Sequence, residues 1–520
     1  MQRYRRRPYP DAAVDHADRA CGGAPRAVGA NLLALGTSQG VTWLVTLAWT
    51  VVVPRRLGPA QMGLLTAALA ATSIVGVIVG LPTRDFLTRQ IVADPRGTSS
   101  LLATALWLRL LTAPVIMALA LAYGVFGQLG DGATAVVLLS GGATVCLLAA
   151  EPALALFQAT ERMHYLARFE VLSKALQGLG GIAIVLCGAG VVALTGLNLA
   201  VAGGLALLAL RWLRRQVKVD RHTTRSAAWG VTRASAAYWS FGVFYVLYLW
   251  IDSVLLSLLA PVEVVGWYGV ATKLFTTLMF IPVIFSTAFL PRLVGAAGRG
   301  VDALHEAART PLEIVVVLSL PICIGTAMSA GDVVPLLYGE AYRPAVPVLV
   351  LLSLCFPLMY VNIMMYQVLI AEGRPGPWVR LMALATVVNP ALNFALVPVL
   401  QRTRANGAEG AALSLVLTEL LIVALGVHVV GARLFTPQLC SRLGRAVLAA
   451  LSMLAVMAAL RARPVPLSAA AGVLTFLAVG ALLRALPVTE VRAVLVLLRR
   501  RGRQTDVSAH AQPVEREMHR

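Results

Sequence analysis

The amino-acid sequence predicts an all-α integral membrane protein of about fourteen transmembrane helices, on three observations. Only 13% of the 520 residues are charged, 58% are hydrophobic, and the mean hydropathy is +0.79; soluble domains carry about 25% charged residues. Apolar runs of roughly 20 residues, the length that crosses a hydrocarbon core about 30 Å thick, recur along nearly the whole chain. The basic residues between those runs fall on alternate connections, the asymmetry that orients a polytopic protein.

The runs fall into three blocks. Spans at 28–53, 61–81, 100–123, 133–157, 170–190 and 194–212 make an N-lobe, residues 28–212. Spans at 237–260, 267–290, 311–330, 345–370, 378–400 and 409–431 make a C-lobe, residues 237–431, and two more, 443–460 and 465–486, fill residues 432–486. Between the lobes, residues 213–236 read as a basic linker. The first run is too long for the h-region of a secretory leader, and no cleavage context follows it, so it reads as a retained span. With the N-terminus placed in the cytosol, only seven of the 44 Lys and Arg residues fall on outer connections: Arg55, Arg56, Arg343, Arg402, Arg404, Arg461 and Arg463. Arg109 and Lys273 fall inside spans, and the other 35 lie on the cytosolic side, with both termini. The tails, residues 1–27 and 487–520, are basic and suit an anionic leaflet surface.

The net charge of +20 therefore orients the chain and meets membrane lipids; it does not indicate nucleic acid. The six cysteines form no CxxC pair and the seven histidines lack ligand spacing, so no disulfide framework, metal site or cofactor is expected. Nucleotide and hydrolase motifs are absent, which argues against an enzyme and against ATP-driven transport by this chain alone.

A weak internal repeat relates the lobes. Gly58-Pro59-Ala60-Gln61-Met62-Gly63 opens the second span and Ala260-Pro261-Val262-Glu263-Val264-Val265-Gly266 opens the eighth, with Gly63 and Gly266 203 positions apart. Arg89 and Arg292 each follow their glycine by 26 positions. Copies six spans apart share an orientation, the pattern of parallel repeats about an axis along the membrane normal, with a substrate site between the halves.

Ionisable groups inside spans cost about 2.5–3.5 kcal/mol each at the bilayer centre on insertion scales, so each needs a partner or a wet cavity. They are Arg109, Glu151, Asp252, Lys273 and Glu419, with Glu313 close to a span end. Asp252 and Lys273 lie at similar depth on antiparallel neighbours, and the sequence predicts that they pair. Tyr238, Phe241, Tyr245, Tyr248 and Asp252 share one helical face, which serves either packing or the wall of a sugar-binding cavity. Gln39, Thr42, Thr46 and Thr50 line up similarly in the first span, as interhelical hydrogen bonds or as a wetted wall. Asn389 and Asn393 stand one turn apart beside Pro390, read first as packing and helix bending. The Gly36–Gly40 and Gly76–Gly80 pairs read as close helix contacts. Arg84, Arg89 and Arg292 mark cytosolic span ends; beyond anchoring topology, Arg89 and Arg292 could face each other across the cytosolic mouth and grip phosphate with their guanidinium forks.

These residues carry a resemblance. The stretch 35–91 (LGTSQGVTWLVTLAWTVVVPRRLGPAQMG and onward), then IDSVLLSLLAPVEVVGWYGVATKLFTTLMFIPVIFSTAFLPRL at 251–293, LLYGEAYRPAVPVLVLLSL at 336–354 and VVNPALNFALVPVL at 387–400 resemble Wzx-like polysaccharide exporters. The likeness runs from about Leu35 to Val430, and the block with Asp252, Trp267, Lys273, Pro282 and Arg292 is its most specific part. That family shares a superfamily with the MATE drug antiporters and the MurJ-like lipid II flippases.

The resemblance implies two six-helix lobes in a V, alternating access driven by an ion gradient or membrane potential, and two extra C-terminal helices. It implies a polyprenyl-pyrophosphate-linked oligosaccharide flipped to the outer leaflet of a bacterial cytoplasmic membrane, with polysaccharide polymerase machinery as a partner. Lys273, Asp252, Arg109, Arg89, Arg292, Arg84, Tyr245, Tyr248 and Glu419 are the expected cavity residues. The first span carries no Arg between Gly29 and Val53, unlike MurJ-like proteins, which disfavours lipid II. It also carries no Asp, which MATE antiporters often use for coupling; a MATE-like small-molecule antiporter is the alternative, and a membrane glycan polymerase fits less well because no long outer loop is present.

Overall fold

A computed structural model describes residues 25–127, 129–218, 223–431 and 434–485, with side chains of the first helix described from Val45 onward. Most of both basic tails, and the side chains of Gln39 and Thr42, lie outside the described residues. Within them the chain forms sixteen α-helices and no strand. Thirteen helical stretches are long and apolar enough to cross a membrane.

Helix α1 (Pro25–Val79) supplies two of the expected spans. Its 55 residues break at Gly58, which sits at φ 76°, ψ 171°, where a side chain would be strained, and Pro59 follows without an amide hydrogen. Counted as two arms, α1 restores the fourteen spans that the hydropathy predicts. A short helix, α2 (Arg84–Ala93), then buries Phe86, Leu87 and Ile91 in the connection before α3 (Thr98–Phe126). The N-lobe continues with α4 (Ala133–Ala159), α5 (Met163–Leu186) and α6 (Val191–Gln216).

The basic linker is mostly helix. Helix α6 runs to Gln216 and α7 (Arg225–Leu259) begins nine residues later, so the 213–236 segment splits between two helix ends. The C-lobe follows with α8 (Val262–Leu278), α9 (Phe280–Ala297), α10 (Val301–Tyr338), α11 (Ala345–Ser353), α12 (Cys355–Ala371), α13 (Gly376–Arg404) and α14 (Gly407–Val430). Two expected single spans are interrupted: α8 stops at Leu278 and α11 at Ser353, each four residues before a proline, Pro282 or Pro357. A proline ring clashes with the carbonyl four residues back, which sets both breaks.

The last two helices, α15 (Pro437–Ala459) and α16 (Val465–Leu482), pack on α10 through Ala446, Ala449, Ala450, Met453 and Phe476. Arg442 Nη1 donates to both carboxylate oxygens of Glu313, at 3.1 and 3.0 Å, which gives that span-end charge its partner.

The repeat has a direct structural counterpart. Helices α1 and α8 cross where a Cβ on Gly63 would stand 1.8 Å from the Val262 carbonyl oxygen, and one on Gly266 would stand 2.1 Å from the Pro59 carbonyl oxygen. Val262 follows Pro59 by 203 positions, as Gly266 follows Gly63. The contact is reciprocal, as a two-fold relation between the lobes requires, and the local pseudo-axis passes through this crossing.

Candidate functional site

The interior polar groups form three sets. The first lies inside the C-lobe, where α7, α8, α12, α13 and α14 surround a cavity of about 430 Å³ lined by Asp252, Glu419, Tyr245, Tyr248, Asn362 and Trp378, among others. Asp252 is 4% exposed; its Oδ1 accepts from Asn393 Nδ2 at 2.7 Å and its Oδ2 from the Tyr268 hydroxyl at 3.1 Å. Asn393 Nδ2 also donates to Asn389 Oδ1 at 3.1 Å. Glu419, 1% exposed, accepts from the Tyr248 hydroxyl and from Asn362 Nδ2, the latter at 2.7 Å. Two buried carboxyl groups thus share one lobe with neutral donors around them.

Lys273 does not pair with Asp252, contrary to the expectation from depth alone. Tyr268 and Lys273 are five residues apart on α8, about 140° around a helix of 3.6 residues per turn, so the face that meets Asp252 cannot also present Lys273. The Lys273 ammonium instead stands 5.8 Å from the ring centroid of Trp49 on α1, in the opposite lobe. The Asn389–Asn393 pair is likewise more than packing, because it carries the hydrogen bond to Asp252.

The second set is in the N-lobe. Arg109, 4% exposed, donates through Nη2 to Glu151 Oε2 at 2.5 Å and to the Pro82 carbonyl at 2.7 Å. Arg84 lies within electrostatic range of the same carboxylate. Gly80 makes the room: a Cβ there would stand 2.6 Å from Arg109 Nη1. Gly76 likewise admits Thr144 of α4, so this glycine pair is a close-contact device, as its spacing suggests.

The third set joins the lobes. At the α1–α8 end, Tyr342 donates to the Pro54 carbonyl at 2.9 Å, Arg55 to the Leu336 carbonyl at 3.2 Å, and the Tyr123 and Ser257 hydroxyls stand 2.5 Å apart. At the opposite end, Trp239 Nε1 donates to the Val77 and Ile78 carbonyls, both at 3.0 Å. There Arg89 Nη1 donates to the Tyr238 hydroxyl at 2.6 Å. Arg292 is exposed on α9. Arg89 therefore meets an aromatic residue of the other lobe, and the α7 stripe divides: Tyr238 goes to Arg89, Tyr248 to Glu419, and Tyr245 remains 55% exposed.

Asn362, Trp49 and Trp239 escape the sequence reading. An asparagine within an apolar span was the available signal for Asn362; for the two tryptophans only the fold reveals a partner. Among the described residues no cluster of three His, Cys, Asp or Glu side chains could hold a metal ion.

Two lobes related by a parallel repeat, meeting across a polar interface inside a bundle of membrane-crossing helices, define a two-lobe polytopic membrane-protein fold. Solved structures share it: a lipid II flippase MurJ in an inward closed conformation (TM-score 0.68, 11% identity, 86% of this chain and 98% of that one), and a multidrug resistance MATE family transporter of the MOP superfamily in an inward-facing conformation (TM-score 0.59, 17% identity, 76% of this chain and 94% of that one). The chain belongs to the family described as polysaccharide biosynthesis protein, whose model matches residues 52–347. A probable flippase, AglR of Haloferax volcanii, is 27% identical over 204 residues, 38% of this chain. The chain spans 41% of that relative's length.

Proposed function

We propose that the chain is a flippase that carries a polyprenyl-pyrophosphate-linked oligosaccharide from the cytosolic to the outer leaflet, by rocking its two lobes about the interface between them. Family membership supports a role in polysaccharide biosynthesis, and the fold supports transport. The observation that carries the reading is Lys273, an exposed ammonium in mid-helix at the lobe interface, beside Trp49 of the other lobe. A cation held there in a low-dielectric wall attracts a diphosphate, and an aromatic plane beside it suits a sugar ring.

The remaining residues take roles by position. Arg84, Arg89 and Arg292 give the end nearer the lobe linker a positive mouth for the diphosphate, and opening it breaks the Arg89–Tyr238 bond. Tyr245 extends the aromatic wall. Asp252 and Glu419, buried among neutral donors, are the coupling groups: a proton or cation that neutralises them changes the cost of burying the C-lobe cavity, and so biases one lobe arrangement over another. Arg109 on α3 holds α4, through Glu151, to the connection that follows α1, through the Pro82 carbonyl. The tails and the α6–α7 connection face the cytosol, in a cytoplasmic membrane, and polymerising machinery for the same polysaccharide is the expected partner downstream.

The test is Lys273→Ala against Lys273→Arg in cells that depend on this chain for surface polysaccharide. The alanine variant should accumulate lipid-linked oligosaccharide on the cytosolic leaflet at normal membrane abundance, and the arginine variant should restore export. Normal export by Lys273→Ala would overturn the proposed site.

A further inference from the structure

A second cavity, about 660 Å³, opens on the N-lobe between α3 and α6 over a floor of Val145 and Ala149 from α4. Its charged lining is Arg109, Arg214 and Lys218, with no acidic residue among the lining groups. Glu151 takes one edge of the Arg109 guanidinium, yet Arg109 Nε and Nη1 are buried without a hydrogen-bond partner. A buried charged donor left unsatisfied is costly, so Arg109 favours an anionic acceptor in the groove it lines. Its walls are apolar and open: Leu110 is 74% exposed and Trp107 39%, as expected of side chains that face acyl chains.

The three cations form a ladder. The Ser99 hydroxyl donates to the Lys218 carbonyl at 2.6 Å, which sets Lys218 level with the start of α3. Arg109 lies ten residues further along α3, about 15 Å deeper, and Arg214 stands in the last turn of α6, which ends at Gln216 just before Lys218. Side chains lean toward the N-terminus of their helix. In the fourteen-span topology α3 and α6 run in opposite directions, so Arg109 leans down and Arg214 leans up, toward the same level.

We propose that this groove binds the headgroup phosphate of an anionic glycerophospholipid, taken laterally from the leaflet that borders the α6–α7 connection. The phosphate sits between Arg109 and Arg214, Lys218 closes the mouth, and an acyl chain runs along Trp107 and Leu110. The site lies outside the lobe interface and is independent of which glycan the protein carries.

The experiment uses the full chain purified in a neutral detergent, with added phosphatidylglycerol, phosphatidylcholine or inorganic phosphate, read by native mass spectrometry and by thermal unfolding. Phosphatidylglycerol should remain bound and raise the unfolding temperature; the other two should not. Arg214→Gln with Lys218→Gln, both at exposed positions, should weaken phosphatidylglycerol binding roughly thirtyfold, equivalent to about 2 kcal/mol for two surface cations. The same pair of changes at Arg461 and Arg463, in the α15–α16 connection, should have no effect. Equal retention of phosphatidylglycerol by the Arg214/Lys218 variant, equal stabilisation by phosphatidylcholine, or displacement of the lipid by millimolar inorganic phosphate would each overturn the proposal.

Discussion

At the residue scale, the polar groups inside the C-lobe separate by helical face rather than by depth. Asp252 is held by Asn393 and Tyr268, while Lys273 turns toward Trp49. Double-mutant cycles should report this division. Asp252→Asn with Asn393→Ala should show a coupling energy of about 0.5–3 kcal/mol, the range for groups in contact, whereas Asp252→Asn with Lys273→Met should be additive to within about 0.5 kcal/mol. The measurement is unfolding of the purified chain for each single and double variant, and strong coupling between Asp252 and Lys273 would contradict the hydrogen-bond pattern. Glu419 with Tyr248 offers a parallel case, because Tyr248→Phe leaves a buried carboxyl oxygen short of a donor, at a cost of about 1–3 kcal/mol. Single intramembrane charges were legible from the sequence because each interrupts an apolar run; their partners were not, because a pairing needs the rotation of each helix, which the sequence sets only to within a broad face.

At the scale of elements, glycines and prolines decide where helices break and where they touch. Gly58 and Pro59 divide α1, and the carbonyls four residues before Pro282 and Pro357 end α8 and α11. The Gly63–Gly266 crossing brings two backbones together, so Gly63→Ala places a methyl group 1.8 Å from the Val262 carbonyl oxygen and forces the helices apart. The expected outcome is a shift toward the arrangement in which α1 and α8 separate at that end, read as increased labelling of a cysteine placed at Pro59. Gly295→Ala on α9, where nothing stands within 4 Å of the new methyl, is the control and should change neither labelling nor abundance. Unchanged labelling in Gly63→Ala would mean that the crossing does not hold that end shut. The repeat that predicted this contact was visible as spacing alone: two glycines 203 positions apart say that the lobes correspond, and only the folded chain shows that the corresponding glycines touch each other.

At the scale of the molecule, the charge asymmetry predicts an orientation for every helix. Cysteines at Asp131 and Ser226, both exposed, test the topology proposed from it. A membrane-impermeant maleimide added to intact cells should label the cysteine at 131, in the connection between α3 and α4, and leave the one at 226, beside the start of α7, unlabelled until the membrane is opened. Labelling of position 226 from outside would invert the whole arrangement, and with it the assignment of the Arg89–Tyr238 contact to the cytosolic mouth. Lobe contacts stand at both ends of the interface, so rocking the lobes as proposed must break one set while keeping the other; only the α1–α8 end has a close backbone crossing, while both ends bond side-chain donors to backbone carbonyls.

The sequence by itself determined the membrane class, the fourteen spans, the two-lobe repeat and the family resemblance, and it predicts an orientation from the charge asymmetry. Each of these rests on composition, length or periodicity, quantities summed along the chain. What the tertiary structure decided was pairing: Arg109 with Glu151, Asp252 with Asn393, Glu419 with Tyr248 and Asn362, Arg89 with Tyr238, and Lys273 over Trp49. Those contacts join residues from 42 to 224 positions apart, across helices that are apolar over most of their surface. In a bilayer the hydrophobic pattern that fixes helix rotation in a soluble protein is weak, because lipid and protein interior are equally apolar, and the facing of each helix is settled by close packing and by the few polar groups that must find one another.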